Sequence, residues 1–380
     1  MTTMLPALPR TFGRLSDVFV SSLGSITGLD NRLSFRRAKQ VCAILVDGLG
    51  SHNLKAAAGH APFLNASMAA SGTTISCGFP ATTATSITSF ATGVSAGQHG
   101  LIGYQIFDRE SDSYLNMLSG WSDSFKPGDW QVSKTVSEVA GEKGVGVFFV
   151  GPPEYEGTGF TNATMPAAQY LGAKTISDRV DRALELMNAR SDALVYLYVP
   201  ELDQAAHAKG SGSTFWLEKV EELDWQMKRL ASALPKTAGA VLVADHGVID
   251  VHQDHHIYLD DLSFEWERVQ AIAGDPRVAY LYLKDRSVGE LANAKARLQT
   301  ELGAAALVLG ATEMVEGGLF GSLNQDLMSR FPDLAVLAMT TVAFYHRGFA
   351  KPQSLKMIGQ HGSLSHTELM IPMIRFGALN

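Results

Sequence analysis

Val41-Cys42-Ala43-Ile44-Leu45-Val46, running straight into Asp47-Gly48-Leu49-Gly50, is the stretch that decides the fold. A short, continuous apolar run that stops at a glycine-rich turn reads as a strand buried on both faces. The same signature recurs outward along the chain at 146–150 (GVFFV), Ala193–Val199 (ALVYLYV) and Ala238–Ala244 (AGAVLVA). Amphipathic helical stretches, notably 175–190 and 216–234, alternate with these runs. Buried strands alternating with helices predict an α/β fold: a doubly wound, mostly parallel sheet with helices on both faces.

In such sheets, functional residues gather beyond the carboxyl ends of the strands. Asp47 follows the first run, Asp203 lies just past the third, and Asp245-His246 follow the fourth. Asp and Gly also end strands simply as turn formers. Any one of these positions is therefore ordinary, but the four together point to a site at one rim of the sheet.

Beyond residue 258 the rhythm changes. A β-like run at 277–283 (RVAYLYL), a helical stretch at 287–302 and a second β-like run at 334–339 (LAVLAM) predict a small α+β cap insertion over 259–345. The core domain is then 1–258 together with 346–380, and the closing run Leu369-Met370-Ile371-Pro372-Met373-Ile374 is expected to rejoin the main sheet.

With 380 residues, 46% of them hydrophobic and 18% charged, the chain has the composition of an ordinary globular protein. Its 31 Lys and Arg stand against 38 Asp and Glu, a net charge of −7, and no long basic run offers a nucleic-acid surface. If the protein handles phosphate, bound cations must supply positive charge. Cys42 and Cys77 have neither CxxC nor Cys/His spacing, which argues against a thiolate zinc site or a disulfide framework and favours a reducing, cytoplasmic location. The N-terminal sequence has no continuous apolar segment of the signal-peptide kind, and no run of 18 apolar residues suggests a membrane span.

Asp203 and His207 stand four apart in ELDQAAHAKG, so on a helix they share one face and can grip one divalent ion such as zinc. This spacing is common by accident and gains meaning only with partners. Asp245-His246-Gly247, on a turn out of a buried strand, supplies one. His361, flanked by Gly359 and Gly362, is another candidate, and His366 is equally plausible on composition. The segment 79–93 (FPATTATSITSFATG) carries hydroxyls at Thr82, Thr83, Thr85, Ser86, Thr88 and Ser89. It reads as a helix start, whose free N–H groups favour a bound phosphate, and any of its hydroxyls can be a nucleophile if a metal activates it. His252, Asp254, His255 and His256 read as a solvated turn entering the insertion rather than as an extra metal site.

Taken in order, Asp47-Gly48, Phe79-Pro80-Ala81-Thr82-Thr83, Ala91-Thr92-Gly93, His99-Gly100-Leu101-Ile102-Gly103, Asp203 to His207, Asp245-His246-Gly247 and His361-Gly362 resemble the alkaline phosphatase superfamily. Within it, the chain is most similar to the type I phosphodiesterase/nucleotide pyrophosphatase family, from about residue 41 to the end. The resemblance implies two divalent cations, zinc with manganese as the alternative. One is held by Asp47, Asp245 and His246 with the nucleophile Thr83 coordinated beside it, the other by Asp203, His207 and His361. It selects Thr83 among the hydroxyls, as the residue three beyond the Pro of Phe-Pro, and selects His361 over His366. It also implies hydrolysis of a phosphodiester or pyrophosphate bond in a small molecule or nucleotide through a phospho-threonine intermediate. Phosphonoacetate hydrolase-like or phosphomonoesterase activity on the same site is the alternative.

The chain departs from the family at one point. Relatives commonly read Thr-Phe-Pro-Asn where this chain has Thr83-Ala84-Thr85-Ser86. Ser86 then stands as candidate phosphate donor in place of the Asn amide, and Ala84 replaces the Phe that lines the nucleobase pocket. Base stacking on an aromatic ring is worth about 1–3 kcal/mol, so Tyr104, Tyr155 and Trp266 are the candidates to replace it.

Overall fold

The computed structural model describes residues 11–29, 31–189 and 191–380. The first ten residues, part of the N-terminal reading above, and Arg190, the expected end of a helix, lie outside the described residues.

The helices that position the site are α1 (Leu15–Thr27), α2 (Pro62–Ser71), α3 (Thr83–Thr92), α4 (Val136–Glu142), α5 (Ile176–Ala189), α6 (Glu201–Lys209), α7 (Thr214–Ala233), α8 (Val288–Leu302) and α9 (His366–Leu369). The strands of the main sheet are β1 (Gln40–Val46), β2 (Thr73–Ser76), β3 (Gly146–Gly151), β4 (Gln169–Gly172), β5 (Ala193–Val199) and β6 (Ala238–Ala244). Further along come β7 (Val269–Asp275), β8 (Val278–Leu283), β9 (Ala306–Gly310), β10 (Leu334–Ala338) and β11 (Met370–Gly377). The main sheet has the order β2-β11-β6-β1-β5-β3-β4. The five strands from β6 to β4 are parallel, as expected for continuous apolar runs covered on both faces. Helices α1, α3 and α4 pack together in one layer and α2, α5 and α7 in the other.

The closing apolar run does rejoin this sheet, but antiparallel, so the sheet is mixed at one side. Pro372 lies in the part of β11 that pairs with β2 alone, before pairing with β6 begins at Met373. A residue without an N–H is tolerated where one side of the strand is open.

Strand β1 lies between β5 and β6, with Val46 level with both Val199 and Ala244. Three strands ending in register deliver the residues that follow them to one rim, which is what brings Asp47, the start of α6 and Asp245-His246 together.

Helix α1 was not apparent in the sequence, yet it supports the hydroxyl-rich segment. Its buried Phe19 stacks on Phe90 of α3, ring centroids 4.6 Å apart. Gly93 closes α3 at φ 75°, and a Cβ there would meet Val20 of α1 at 2.2 Å.

The segment after residue 258 forms an antiparallel four-stranded sheet of order β7-β8-β10-β9. Its residues alternate between two environments, as a strand period of two requires. Ala279, Leu281, Leu283 and Val336 join Leu298 of α8 in a separate apolar cluster. Tyr280, Tyr282 and Leu337, on the opposite face, belong to the main core. Tyr280 also donates its hydroxyl to the Ile102 carbonyl at 2.7 Å.

Candidate active site

At the rim, Asp47, Asp245 and His246 offer ligand atoms within 4.8 Å of one another, and so do Asp203, His207 and His361. His246 Nε2 lies 3.3 Å from Asp47 Oδ1 and 3.4 Å from Asp245 Oδ2. His207 Nε2 lies 3.0 Å from Asp203 Oδ2, the helical spacing having put both on one face of α6, and His361 Nε2 lies 4.0 Å from Asp203 Oδ1. The His246 and His361 rings stack at 3.6 Å and 16° and join the two groups.

Local backbone geometry explains the approach. Gly48 has φ 73°, and a Cβ on it would lie 3.0 Å from Asp203 Cβ and 3.1 Å from Asp203 Oδ1. Its N–H donates to Asp245 Oδ1 at 3.1 Å, which ties the first turn to the fourth. Asn53 holds the other side of the Asp245 turn, pairing with both the N–H and the carbonyl of Val248. Each imidazole is oriented by its other nitrogen: Nδ1 of His207 lies 2.6 Å from the Gly359 carbonyl, Nδ1 of His361 2.9 Å from that of Ala81, and Nδ1 of His246 3.3 Å from that of Gly247. That arrangement leaves every Nε2 facing the carboxylates, as metal-ligating histidines are held.

The charge balance fits a cation. Asp47, Asp203 and Asp245 are all buried, and Asp47 Oδ1, Asp203 Oδ1 and Asp245 Oδ2 have no hydrogen-bond partner. Burial, then the charges of Asp245 and Asp203, push Asp47 well above the usual carboxylate range. Burial pushes Asp245 up to about 7. Burial also raises Asp203, but the neighbouring His207 overrides it and holds Asp203 below its ordinary value, while Asp203 in turn raises His207 against the effect of burial. Burial brings His246 down to about 3 and His361 well below its ordinary range, so both rings are neutral. Buried carboxylates facing neutral imidazoles, with orphaned oxygens between them, are a site short of positive charge. Mixed carboxylate and imidazole donors suit a divalent ion such as zinc.

Thr83 is the first residue of α3, and its hydroxyl lies 3.1 Å from His246 Nε2. The other hydroxyls of the segment go elsewhere. Thr88 and Thr92 donate to carbonyls one turn back, and Thr85 is buried without a partner. Ser89 pairs with His99 Nε2 at 2.9 Å, while His99 Nδ1 accepts the Leu101 N–H, so the ring proton sits on Nε2 and points at Ser89. His99 therefore cannot serve Ser89 as a base. The Ser86 hydroxyl is buried and faces the Cys77 thiol, to which it donates. His366 is exposed at the start of α9 and belongs to neither group. His252, Asp254 and His255 lie in an exposed turn, and among the described residues His252, Asp254, His255 and His256 belong to no metal-type grouping.

A cavity of about 110 Å³ opens beside Thr83, lined by Ile87, Phe149, Tyr155, Phe160 and Tyr196. Of the three aromatic candidates, Tyr155 shares this cavity. Tyr104 lines a different one, of about 170 Å³, with Phe349. Trp266 packs on Phe264 and His346, ring centroids 4.9 and 5.5 Å away. Sequence reasoning missed Tyr198, whose hydroxyl donates to Asp47 Oδ2. Its signal was faint: a tyrosine in the next-to-last position of an apolar strand.

Solved structures share this fold. Murine ectonucleotide pyrophosphatase/phosphodiesterase 5, an inactive variant in complex with AMP, matches with a TM-score of 0.69 at 16% identity over 90% of this chain and 88% of that one. The human protein of the same name matches with a TM-score of 0.66 at 16% identity over 89% and 87%. Phosphonoacetate hydrolase from Sinorhizobium meliloti, in complex with phosphonoformate, matches with a TM-score of 0.68 at 19% identity over 90% and 91%. A comparison with curated proteins found no match. Among protein families, that described as type I phosphodiesterase / nucleotide pyrophosphatase matches residues 41–364, which span all six residues of the two groups and Thr83. The chain therefore belongs to the type I phosphodiesterase/nucleotide pyrophosphatase family, phosphoester hydrolases of the alkaline phosphatase superfamily.

Proposed function

We propose that this enzyme hydrolyses a phosphodiester or pyrophosphate bond of a small molecule or nucleotide, with Thr83 as nucleophile. Asp47, Asp245 and His246 would hold one divalent cation beside Thr83, and Asp203, His207 and His361 a second. Zinc is the expected metal, with manganese as the alternative. The observation that carries this reading is the pair of three-residue groups with orphaned carboxylate oxygens, with the Thr83 hydroxyl 3.1 Å from His246. Bound there, two such ions supply Lewis acidity to the attacking and leaving oxygens of an in-line displacement.

The chain's own residues account for the rest. Thr83 Oγ forms a bond to phosphorus as the bond to the leaving oxygen breaks; the Thr83 proton passes to solvent, and the leaving oxygen takes one from it. Water then opens the resulting phospho-threonine ester, and Thr83 Oγ regains its proton. The N–H groups in the first turn of α3 have no intrahelical acceptor and donate to the phosphoryl oxygens. Ser86, one turn into the helix, is the candidate for a further donor, once its hydroxyl turns from the Cys77 thiol to the phosphate. The cavity lined by Tyr155 and Phe149 takes the group that stays on phosphorus and supplies the aromatic face that Ala84 does not. Among the described residues no helix is long and apolar enough to cross a membrane, and the buried, free Cys42 and Cys77 support a cytoplasmic location.

Purified protein given zinc or manganese should release nitrophenol from bis(4-nitrophenyl) phosphate and stop on chelation. No release with either metal overturns the reading. The replacement of Phe and Asn by Ala84 and Ser86 also supports a phosphonate or phosphomonoester substrate. A panel of diester, monoester and phosphonate separates these, because the preferred class has the highest kcat/KM.

A further inference from the structure

We propose that the buried Arg277–Glu368 pair is a positioning device for both ligand groups, and that the 259–345 insertion is a fixed part of the metal site rather than a lid over it. The proposal rests on the two-metal reading above. Glu368 Oε1 accepts from Arg277 Nε at 3.1 Å and from the Ser363 N–H at 2.9 Å. Oε2 accepts from Arg277 Nη2 at 2.8 Å and from the Ser365 hydroxyl at 2.6 Å. The Glu368 carbonyl accepts the Gly247 N–H at 2.9 Å. Ser363 is two residues past His361, and Gly247 directly follows His246. One residue of α9 thus holds both ligand-bearing turns, one through its side chain and the other through its backbone.

The cap completes the arrangement. Arg277 stands between β7 and β8, and its remaining nitrogen, Nη1, donates to the Thr340 and Val342 carbonyls at 2.6 and 2.7 Å. Its side chain is 1% exposed and that of Glu368 is fully buried. The contacts leave little play: a Cβ on Gly247 would meet the Thr367 carbonyl at 2.0 Å, and the Ser363 hydroxyl donates to the Ala338 carbonyl at the end of β10 at 2.8 Å. A buried ion pair adds little net stability over apolar residues of the same size. A planar guanidinium gripping a carboxylate bidentately does fix orientation. Orientation is what two turns need if Nε2 of His246 and of His361 are to face the same carboxylate cluster.

The test is calorimetric titration of the metal-free full-length protein with Zn2+, alongside its thermal unfolding. The variants are Glu368→Gln, Arg277→Lys and the apolar pair Arg277→Met with Glu368→Leu. Loss of an outer partner of metal ligands lowers metal affinity by about 10–100-fold, and all three variants are expected to fall in that range. Arg277→Lys should fail to rescue, because an ammonium cannot form the fork. The apolar pair should melt, metal-free, at or above the wild-type temperature while its affinity stays low, which separates orientation from stability. Wild-type affinity in the stable apolar pair and in Glu368→Gln overturns the proposal. If the wild-type protein itself binds no metal, it is the two-metal reading that fails.

Discussion

The Thr83 hydroxyl and His246 Nε2 lie 3.1 Å apart although the two residues are 163 positions apart in the chain. Two independent features bring them together. His246 leaves β6 level with the end of β1, and Thr83 opens a helix that α1 presses into place through Phe19 and Phe90. Among the Thr and Ser side chains of that segment, Thr83 is the one aimed at the ligand groups.

Thr83→Ala should therefore lower kcat by at least about 10³-fold, the scale on which loss of a nucleophile acts. The six Asp and His side chains of the two groups stay in place, so on the proposed two-metal reading the variant should still take up two metal equivalents in a calorimetric titration. Turnover close to wild type would assign the attack to another group.

Metal affinity should depend on pH in a direction set by the metal-free site. Asp245 carries a proton below about 7, and Asp47 and His207 are also raised, whereas His246 is neutral down to about 3 and His361 is neutral as well. Cation binding must displace the carboxyl and His207 protons, and no protons come from the other two histidines. Zinc affinity should rise with pH up to about 7 by roughly tenfold per unit for each proton released. Titrations in buffers of different ionisation enthalpy count those protons, and a count of zero at pH 6 would contradict the site's electrostatics.

Gly48→Ala tests the closeness of the first and third turns. The residue sits at φ 73°, where a side chain costs about 1–2 kcal/mol, and the added Cβ would lie 3.0 Å from Asp203 Cβ. Both the melting temperature of the metal-free protein and its affinity for the second metal equivalent should fall. A loss of melting temperature alone would mean that Asp203 accommodates the methyl group.

The parts of the molecule that sequence made legible are those where a single segment carries its own signal. Buried parallel strands are unbroken apolar runs, so β1, β3, β5 and β6 stood out. The topological rule for their carboxyl ends then led to Asp47, Asp203, Asp245 and His246. What stayed hidden depends on partners distant in sequence. Arg277 and Glu368 are 91 positions apart, and each reads as an ordinary surface charge until the cap sheet lies on the core. The choice of Thr83 over its neighbours, and of His361 over His366, came from family resemblance, because helix phase and turn direction are not encoded in residue type. The antiparallel course of β11 was equally hidden, since an apolar run carries no direction.

If the cavity beside Thr83 takes the group that stays on phosphorus, Tyr155 sets how far the enzyme depends on an aromatic group in its substrate. Ala84, where relatives commonly carry Phe, is fully buried in the main core, so a ring at that position has no room without displacing its neighbours. The aromatic surface next to Thr83 comes instead from Phe149 and Tyr196 of the sheet and from Tyr155 and Phe160 on short helical turns, with Tyr155 held by the Gln204 side chain at 3.4 Å. A stacked ring is worth about 1–3 kcal/mol, so Tyr155→Ala should cut kcat/KM for a nucleotide or aryl diester by roughly 5- to 150-fold. A methyl ester with the same leaving group has no ring to stack and should lose at most about threefold on the same scale. Equal losses on the two substrates would show that Tyr155 supports the cavity wall or α6 rather than the substrate. Ala84→Phe should not restore the contact and should destabilise the core by about 1–3 kcal/mol through overpacking, which thermal unfolding of the variant measures.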